Sequence, residues 1–316
     1  MIEKIILADP RSFCPGVKRI VNIVELVAKK YSGKPIFLNH EAVHNKHVTD
    51  KFNKMEILIE EDPEKLPQNA VYILSAHGSS PSFKERVQAR KDVTMIDAAC
   101  PLVSKVHLEV NRYAALDYTI IYVGHKGHAE AEAVMSIRPD RTVFVNAKGT
   151  DDAKSIQIPN PNSDKLICLT QTTLSVDESK EIMDILKKRF PSLTFPPAGD
   201  ICLATTNRQA AVKALAKQSD MVLVIGSKNS SNSKRLAETA AMQGVAAYLV
   251  DDVTEINKEW LKDKNAVGIT AGASAPEHLV QEVVEFFKNN FNGQLKVETL
   301  KVTEENANFA LPKELM

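Results

Sequence analysis

The sequence has too few cysteines to be held together by disulfide bonds. Only 4 of its 316 residues are cysteine, at positions 14, 100, 168 and 202. Disulfide-stabilised domains carry a much higher fraction of cysteine, and a 44% apolar content is ample for a hydrophobic core. The sequence therefore predicts a folded protein with reduced thiols, located in the cytoplasm.

Charge of one sign and long apolar runs are also lacking. Lysine plus arginine equals aspartate plus glutamate, at 40 each, so no basic excess indicates nucleic-acid binding. No run approaches the roughly 20 apolar residues that span a membrane. Residues 1–9 lack the apolar length of a signal peptide. We therefore expect neither a nucleic acid nor a membrane as a partner.

Three of the four cysteines occur in similar surroundings. Cys14, Cys100 and Cys202 each follow an aspartate by a few residues and precede a segment with helical periodicity. Polar clusters recur after each of them. The distance from Cys100 to Thr172 is 72 positions, the same as from Cys202 to Ser274. The repetition predicts three related units around a pseudo-threefold axis, each supplying one thiol and two polar loops.

Apolar strands alternate with amphipathic helices along the chain. The pattern predicts strands such as 2–8, 119–123 and 221–225, and helices such as 17–30 and 101–115. Such alternation is typical of α/β folds whose mostly parallel sheets are covered on both faces. The predicted α/β domains are residues 15–99, 100–197 and 198–290, the last joined by a strand in 1–14, and a closing tail follows at 291–316.

Three thiols at equivalent positions of three repeats indicate a metal centre. Structural zinc sites use four ligands and closely spaced cysteine pairs, whereas these cysteines are 86 and 102 positions apart. Three thiolates suit an iron–sulfur cluster with one iron open to a substrate oxygen. Cys168 lies in an apolar strand and is expected to be a small core residue instead.

The polar loops follow strand ends, where parallel sheets bind their ligands. Hydroxyl, amide and imidazole groups beside helix N-termini suit phosphate oxygens, and the nucleotide motifs GxGxxG and Walker A are absent from the sequence. A small diphosphate is therefore the expected ligand, although helix capping would also explain Ser230, Ser231 and Ser274. Glu130, two residues after His128, is the expected proton donor.

Nine motifs, in this order, resemble the 4-hydroxy-3-methylbut-2-enyl diphosphate reductase family. The resemblance extends from about residue 5 to residue 315. The motifs are FCPGV (13–17), HEAVHN (40–45), SAHG (75–78), CPLV (100–103), GHKGH (124–128), TQTTLS (170–175), ATTNRQ (204–209), GSKNSSNS (226–233) and TAGASAP (270–276).

The resemblance implies a trefoil of three α/β domains around a [4Fe–4S] cluster that has three cysteine ligands and one open iron. It assigns the metal ligands to Cys14, Cys100 and Cys202. It assigns substrate binding to His44, His77, His128, Thr172, Ser230, Ser231, Asn232 and Ser274. It assigns catalysis to Glu130, Thr172 and His128.

The implied reaction is the two-electron, proton-coupled removal of the C4 hydroxyl from an allylic diphosphate. Its products would be isopentenyl and dimethylallyl diphosphate. Its electron donor would be ferredoxin or flavodoxin, and the enzyme would be a monomer. Two alternatives stay open for a cluster with an open iron. One is a hydro-lyase that dehydrates without net electron transfer, and the other is a non-enzymatic iron–sulfur sensor.

Overall fold

The structure, a computed structural model, describes residues 2–160, 163–291 and 295–316. The described residues form two compact units. The first unit comprises the chain up to Lys18, Val43–Lys51 and Leu203–Asn308, and the second comprises Arg19–Ala42, Phe52–Cys202 and Phe309–Met316. Within the described residues, no helix is long and apolar enough to cross a membrane.

The strands are short and are distributed along the whole described chain. They are β1 (Lys4–Asp9), β2 (Ile36–Leu38), β3 (Ile57–Ile59), β4 (Val71–Leu74), β5 (Thr94–Asp97), β6 (Thr119–Gly124), β7 (Thr142–Asn146), β8 (Leu166–Thr170), β9 (Met221–Ile225), β10 (Ala246–Val250), β11 (Ala266–Ala271) and β12 (Lys296–Lys301).

Helices occupy most of the connections between these strands. They are α1 (Pro15–Lys30), α2 (Lys46–Lys54), α3 (Pro81–Ala89), α4 (Pro101–Ala115), α5 (Ala129–Met135), α6 (Asp151–Ser155), α7 (Val176–Arg189), α8 (Leu203–Ala216), α9 (Ser231–Ala241) and α10 (Glu277–Asn290). Short 3-10 helices span Pro63–Lys65, Val253–Glu255, Lys258–Leu261 and Lys313–Leu315.

The first unit contains a parallel sheet in the strand order β10-β9-β11-β1-β12. Successive strand residues point to opposite faces, and both faces are apolar because helices cover them. Ile5 packs on the side of α10 together with Val283. Ile6 packs on the opposite side with Val212 of α8 and Leu236 of α9. The sheet is therefore the centre of two hydrophobic layers.

The second unit contains two parallel sheets, in the orders β3-β2-β4-β5 and β7-β6-β8. The β7-β6-β8 sheet is covered in the same way as the sheet of the first unit. Ile121 packs with Leu186 of α7 on one face. Tyr122 packs with Val106 of α4 and Val134 of α5 on the other face. The loops at the strand ends are thus mounted on rigid, doubly covered sheets.

The α/β class with mostly parallel sheets, predicted from the alternation of strands and helices, is confirmed. The boundaries of the three predicted domains, 15–99, 100–197 and 198–290, stay a prediction. Met1 of the predicted N-terminal strand and residues 292–294 of the predicted tail lie outside the described residues.

Five elements were not predicted as helix or strand: α2, α3, α6, β5 and β12. α2 has only two apolar side chains, Val48 and Phe52, both buried, and its other residues are polar, so few apolar residues mark it in the sequence. The closing tail forms β12, which pairs with β1 in the register Lys4↔Lys296. Three of the six β12 side chains are charged and none is buried, so its strand character comes from backbone pairing rather than from apolar periodicity.

Candidate active site

The carboxyl ends of three neighbouring strands in the first unit carry predicted site residues. β9, β11 and β1 are adjacent in the sheet, and the loops after them hold residues 230–232, Ser274 and Cys14. His44 belongs to the same edge, because its carbonyl oxygen accepts a hydrogen bond from Ser274 Oγ at 3.0 Å. Within this unit the structure brings together the thiol, the hydroxyls and one of the histidines.

Ser230 and Ser274 are both buried. Ser274 Oγ donates to Ser230 Oγ at 3.4 Å, and Ser230 Oγ accepts the N–H of Ser233 at 3.3 Å. Ser230 is therefore the N-cap of α9, as the capping explanation predicted. The cap also holds the hydroxyl pair at the sheet edge, so capping and a place in the candidate site are compatible.

Three buried polar atoms in the first turn of α9 have no protein partner in the described chain: Ser231 Oγ, Asn232 Nδ2 and Ser233 Oγ. The Asn232 amide is held in place because its Oδ1 accepts the N–H of Ala273 at 2.8 Å. A buried donor without a partner costs about 1–3 kcal/mol. An anionic ligand at the N-terminus of α9 would offset this cost.

Two glycines allow the loops after β9 and β11 to approach α9 closely. A Cβ atom on Gly272 would lie 2.0 Å from Ser233 Oγ, and one on Gly226 would lie 2.3 Å from the same atom. Both distances are far shorter than van der Waals contact. Glycine at the two positions therefore keeps the loops packed against the residues that begin α9.

Cys14 lies immediately before α1, in a loop bonded to the end of β11. Its N–H donates to Ala273 O at 3.1 Å, and its Sγ accepts the N–H of Val17 at 3.4 Å. Burial raises the pKa of the Cys14 thiol, whereas the Arg208 guanidinium and the N–H groups of Val17 and Gly16 lower it. Burial has the largest effect, so the pKa is raised overall, and the guanidinium and the two N–H groups make the increase smaller.

The second unit places the three predicted catalytic residues in one hydrogen-bonded chain. His128 precedes α5, and its Nδ1 accepts the N–H of Glu130 at 3.2 Å. Glu130 Oε1 accepts the N–H of Thr172, and Glu130 Oε2 accepts Thr172 Oγ1–H, both at 2.8 Å. The contact is possible because β6 and β8 are neighbours, so their following loops meet at one edge.

Only 2% of Glu130 is exposed. Burial raises the pKa of its carboxyl group to about 7, the two hydrogen bonds from Thr172 act in the opposite direction, and the charge of Asp200 adds to the increase. A carboxyl group with this pKa is protonated in a substantial fraction of molecules near neutral pH and can also release the proton. Glu130 is therefore suited to general acid chemistry.

Cys202 is bonded to the strand end that carries Thr172. Its N–H donates to Thr172 O at 3.0 Å, and Asp200 Oδ2 accepts the N–H of Thr170 at 3.0 Å. Asp200 is absent from the predicted site residues, although the aspartate before each repeated cysteine was a signal for it. Its carboxylate fixes the loop before Cys202 to the end of β8.

Cys100 lies immediately before α4, and its N–H donates to Ala76 O at 3.0 Å. This bond places Cys100 beside the loop that follows β4, which carries His77. The imidazole of His77 packs edge-on against that of His128, with ring centroids 5.9 Å apart, and against that of His40 at the same distance. His77 and His128, both predicted to bind substrate, are therefore neighbours.

Gln171 supports the second unit's site and is absent from the predicted residues. Its side chain is fully buried; Oε1 accepts the N–H of His125 and Nε2 donates to Thr173 Oγ1, each at 2.9 Å. The amide thus joins the loop after β6, which carries His128, to the loop after β8, which carries Thr172. A polar residue directly after an apolar strand was the signal for it.

Cys168 behaves as predicted for a core residue. It lies in β8 with 1% of its surface exposed, and burial raises the pKa of its thiol. Among the predicted site residues, the first unit holds Cys14, His44, Ser230, Ser231, Asn232 and Ser274, and the second holds His77, Cys100, His128, Glu130, Thr172 and Cys202.

Comparisons with known proteins cover nearly the whole chain. A family model described as LytB protein matches residues 5–288. A protein of Anaplasma marginale (strain St. Maries) is 47% identical over 311 residues, which are 98% of this chain and 89% of the relative. One of Salmonella schwarzengrund is 46% identical over 314 residues, 99% of this chain and 97% of the relative. Both relatives are named 4-hydroxy-3-methylbut-2-enyl diphosphate reductase.

Solved structures show the same similarity. The Plasmodium falciparum E-1-hydroxy-2-methyl-but-2-enyl-4-diphosphate reductase superposes with a TM-score of 0.93 at 35% identity, covering 100% of this chain and 97% of that one. A second structure is described as the terminal enzyme of the non-mevalonate pathway. It has a TM-score of 0.65 and 26% identity, and the match covers 92% of this chain and 100% of that one.

Proposed function

The chain belongs to the LytB protein family, and we propose that it catalyses the reaction for which its relatives are named. The substrate would be (E)-4-hydroxy-3-methylbut-2-enyl diphosphate. Two electrons and two protons remove its C4 hydroxyl as water and give isopentenyl or dimethylallyl diphosphate. The observation that carries this proposal is the buried Glu130 carboxyl group, bonded through both oxygens to Thr172.

Cys14, Cys100 and Cys202 would hold a [4Fe–4S] cluster. Each of the three cysteines directly precedes a helix, α1, α4 or α8, whose N-terminal N–H groups favour a thiolate. Cys14 additionally accepts the Val17 N–H at its sulfur. When bound, such a cluster supplies single electrons and one open iron as a Lewis acid.

Hydroxyl, amide and imidazole side chains would bind the diphosphate. In the first unit, the unpartnered Ser231 Oγ and Asn232 Nδ2 support this role, together with the N-terminus of α9. Ser230, Ser274 and His44 would complete that set, and His77, His128 and Thr172 are also assigned to substrate binding. Donors of this kind match the phosphate oxygens without requiring a nucleotide-binding motif.

Glu130 would supply protons through Thr172. The Thr172 hydroxyl donates to Glu130 Oε2 at 2.8 Å, so a protonated Glu130 can donate to the same hydroxyl in return. The hydroxyl group would then pass a proton to the departing substrate oxygen, which leaves as water. His128 orients Glu130, because its Nδ1 accepts the N–H of that residue.

The reductase is favoured over the two alternatives because the relatives that match nearly the full chain are named reductases. A hydro-lyase would turn over without a reductant, and a sensor would not consume the diphosphate. The remaining expectations stay predictions: ferredoxin or flavodoxin as electron donor, a monomeric state and a cytoplasmic location.

The proposal is tested by anaerobic reconstitution followed by a turnover assay with the hydroxylated allylic diphosphate. We expect about four irons per chain, together with product formation that requires a steady supply of a low-potential reductant such as reduced methyl viologen. Turnover that continues when the reductant is omitted would indicate the hydro-lyase. Absence of both cluster and turnover would refute the proposed function.

A further inference from the structure

Three cationic side chains that take no part in the proposed reaction each bind the loop before one of the three cysteines. They are Arg208, Arg19 and Lys105. Each cation donates to at least one main-chain carbonyl group of that loop. The three contacts have a common pattern that neither the core packing nor the proposed chemistry requires.

Arg208 binds the loop before Cys14. The side chain is fully buried, and its Nε and Nη2 donate to Ser12 O at 3.2 and 2.8 Å. Nη2 also lies 3.4 Å from Arg11 O, and Nη1 forms an ion pair with Glu305 at 2.6 Å. The guanidinium therefore binds the consecutive carbonyl groups of Arg11 and Ser12, and Ser12 is two residues before Cys14.

Arg19 binds the loop before Cys100 in the same way. Its Nη1 donates to Ala98 O at 3.2 Å and to Ala99 O at 3.0 Å, and its Nε donates to Ala310 O at 2.7 Å. Burial lowers the pKa of Arg19, and the charge of Cys100 opposes that effect. The guanidinium is thus within electrostatic reach of the thiol.

Lys105 binds the loop before Cys202. Its Nζ donates to Gly199 O at 2.7 Å and to Asp200 Oδ1 at 2.9 Å. Lys105 Nζ also lies 3.2 Å from Oε1 of Glu109, which is in the same helix, α4. Asp200 is the residue that fixes this loop to β8, so Lys105 strengthens an attachment that already positions Cys202.

The three contacts form a cycle along the chain. Arg19 is five positions after Cys14, Lys105 is five after Cys100, and Arg208 is six after Cys202. Each cation therefore lies in the second turn of the helix that follows one cysteine and binds the loop that precedes another. The cation on the helix after Cys14 binds the loop before Cys100. The cation on the helix after Cys100 binds the loop before Cys202, and the cation on the helix after Cys202 binds the loop before Cys14.

We propose that Arg19, Lys105 and Arg208 are positioning residues that hold the three thiols for the cluster and stabilise its reduced state. The inference rests on the proposed cluster. A ligand set contributed by three distant chain segments needs each thiol fixed before the metal binds, and the fixed carbonyl contacts provide this. Reduction adds negative charge, which a nearby cation stabilises.

The positioning part is tested by hydrogen exchange on the apo protein. In Arg19→Gln, the amides of residues 98–100 should exchange about tenfold faster, because two hydrogen bonds are lost, while those of 199–202 should not change. Lys105→Gln should show the reverse. Both side chains are partly exposed, so folding is expected to survive. Equal changes in both loops, or no change in either, would overturn the cyclic arrangement.

The electrostatic part is tested by redox titration of the reconstituted cluster. Arg19→Gln and Lys105→Gln should each shift the reduction potential to more negative values. Arg19→Lys retains the positive charge, so its potential should stay close to that of the unsubstituted protein. Lys29→Gln is the matched control, because it removes a charge at the exposed far end of α1. Potentials equal to that of the control would overturn this part. Failure of the unsubstituted protein to bind a cluster would instead refute the proposed function, and the apo exchange result is independent of it.

Discussion

Replacing Glu130 by glutamine separates proton transfer from the structural role of this side chain. Glutamine keeps the shape and one oxygen that can accept the Thr172 N–H, but it cannot release a proton. Removing a general acid reduces the rate by about 10²–10⁴-fold. We therefore expect the turnover of Glu130→Gln to fall at least about 100-fold, with cluster content and substrate affinity unchanged.

The same substitution should stabilise the protein at alkaline pH. The pKa of Glu130 rises from 4.5 to about 7 on folding because of burial. Between these values the unfolded chain releases its proton before the folded chain does, so folding stability falls as pH rises through this window. A difference of roughly 2.5 pKa values corresponds to about 3 kcal/mol. Glutamine does not titrate, so the variant does not lose stability in this way. Above pH 7 its free energy of unfolding should exceed that of the unsubstituted protein by up to about 3 kcal/mol.

Two assays check this pair of effects. Anaerobic turnover with an artificial reductant measures the activity, and urea unfolding of the apo proteins at pH 5 and pH 8 measures the stability. Glu132→Gln, an exposed acid on the same helix, is the control for loss of charge. Near-normal turnover of Glu130→Gln would remove Glu130 from the proton path. If the free energies of unfolding of Glu130→Gln and of the unsubstituted protein change by the same amount between pH 5 and pH 8, burial does not raise the pKa of the Glu130 carboxyl group.

Substitutions elsewhere in the site test its other parts. Cys202→Ser should lower the iron and sulfide content after reconstitution, whereas Cys168→Ser should leave both unchanged; equal contents in the two variants would contradict the assignment of ligands. Asn232→Ala should raise the KM for the diphosphate about tenfold or more, because a buried donor is lost. Gly272→Ala should lower the free energy of unfolding by about 1–3 kcal/mol, measured with urea, because the added methyl group meets Ser233 Oγ.

Sequence periodicity was sufficient to predict the fold class because the central strands of the sheets are buried on both faces. The apolar runs at 119–123 and 221–225 coincide with β6 and β9, and the polar clusters after them are the loops at the sheet edges. A strand that is buried on both sides must be apolar throughout, and the change to polar residues then marks its end. The class of fold and the location of the site both follow from this change.

Residues that connect distant parts of the chain could not be predicted in this way. Arg208 and Ser12 are 196 positions apart, and no local pattern links them. Gln171 and Asp200 were marked by local signals, but the backbone groups that they bond, 46 and 30 positions away, were not. β12 was likewise recognised only as extended tail, since backbone pairing with β1 defines it.

The position of β1 in its sheet has a consequence for biosynthesis. β1 leaves the ribosome well before its two partners, β11 (Ala266–Ala271) and β12 (Lys296–Lys301). The sheets built from β2–β5 and β6–β8 use strands that are close in the chain, so they can form during translation. Both edges of β1 stay unpaired until β11 and β12 have been synthesised. An apolar nascent strand in this state is a site for chaperone binding or aggregation, and the loop that carries Cys14 reaches its final position only after the later cysteines have been synthesised.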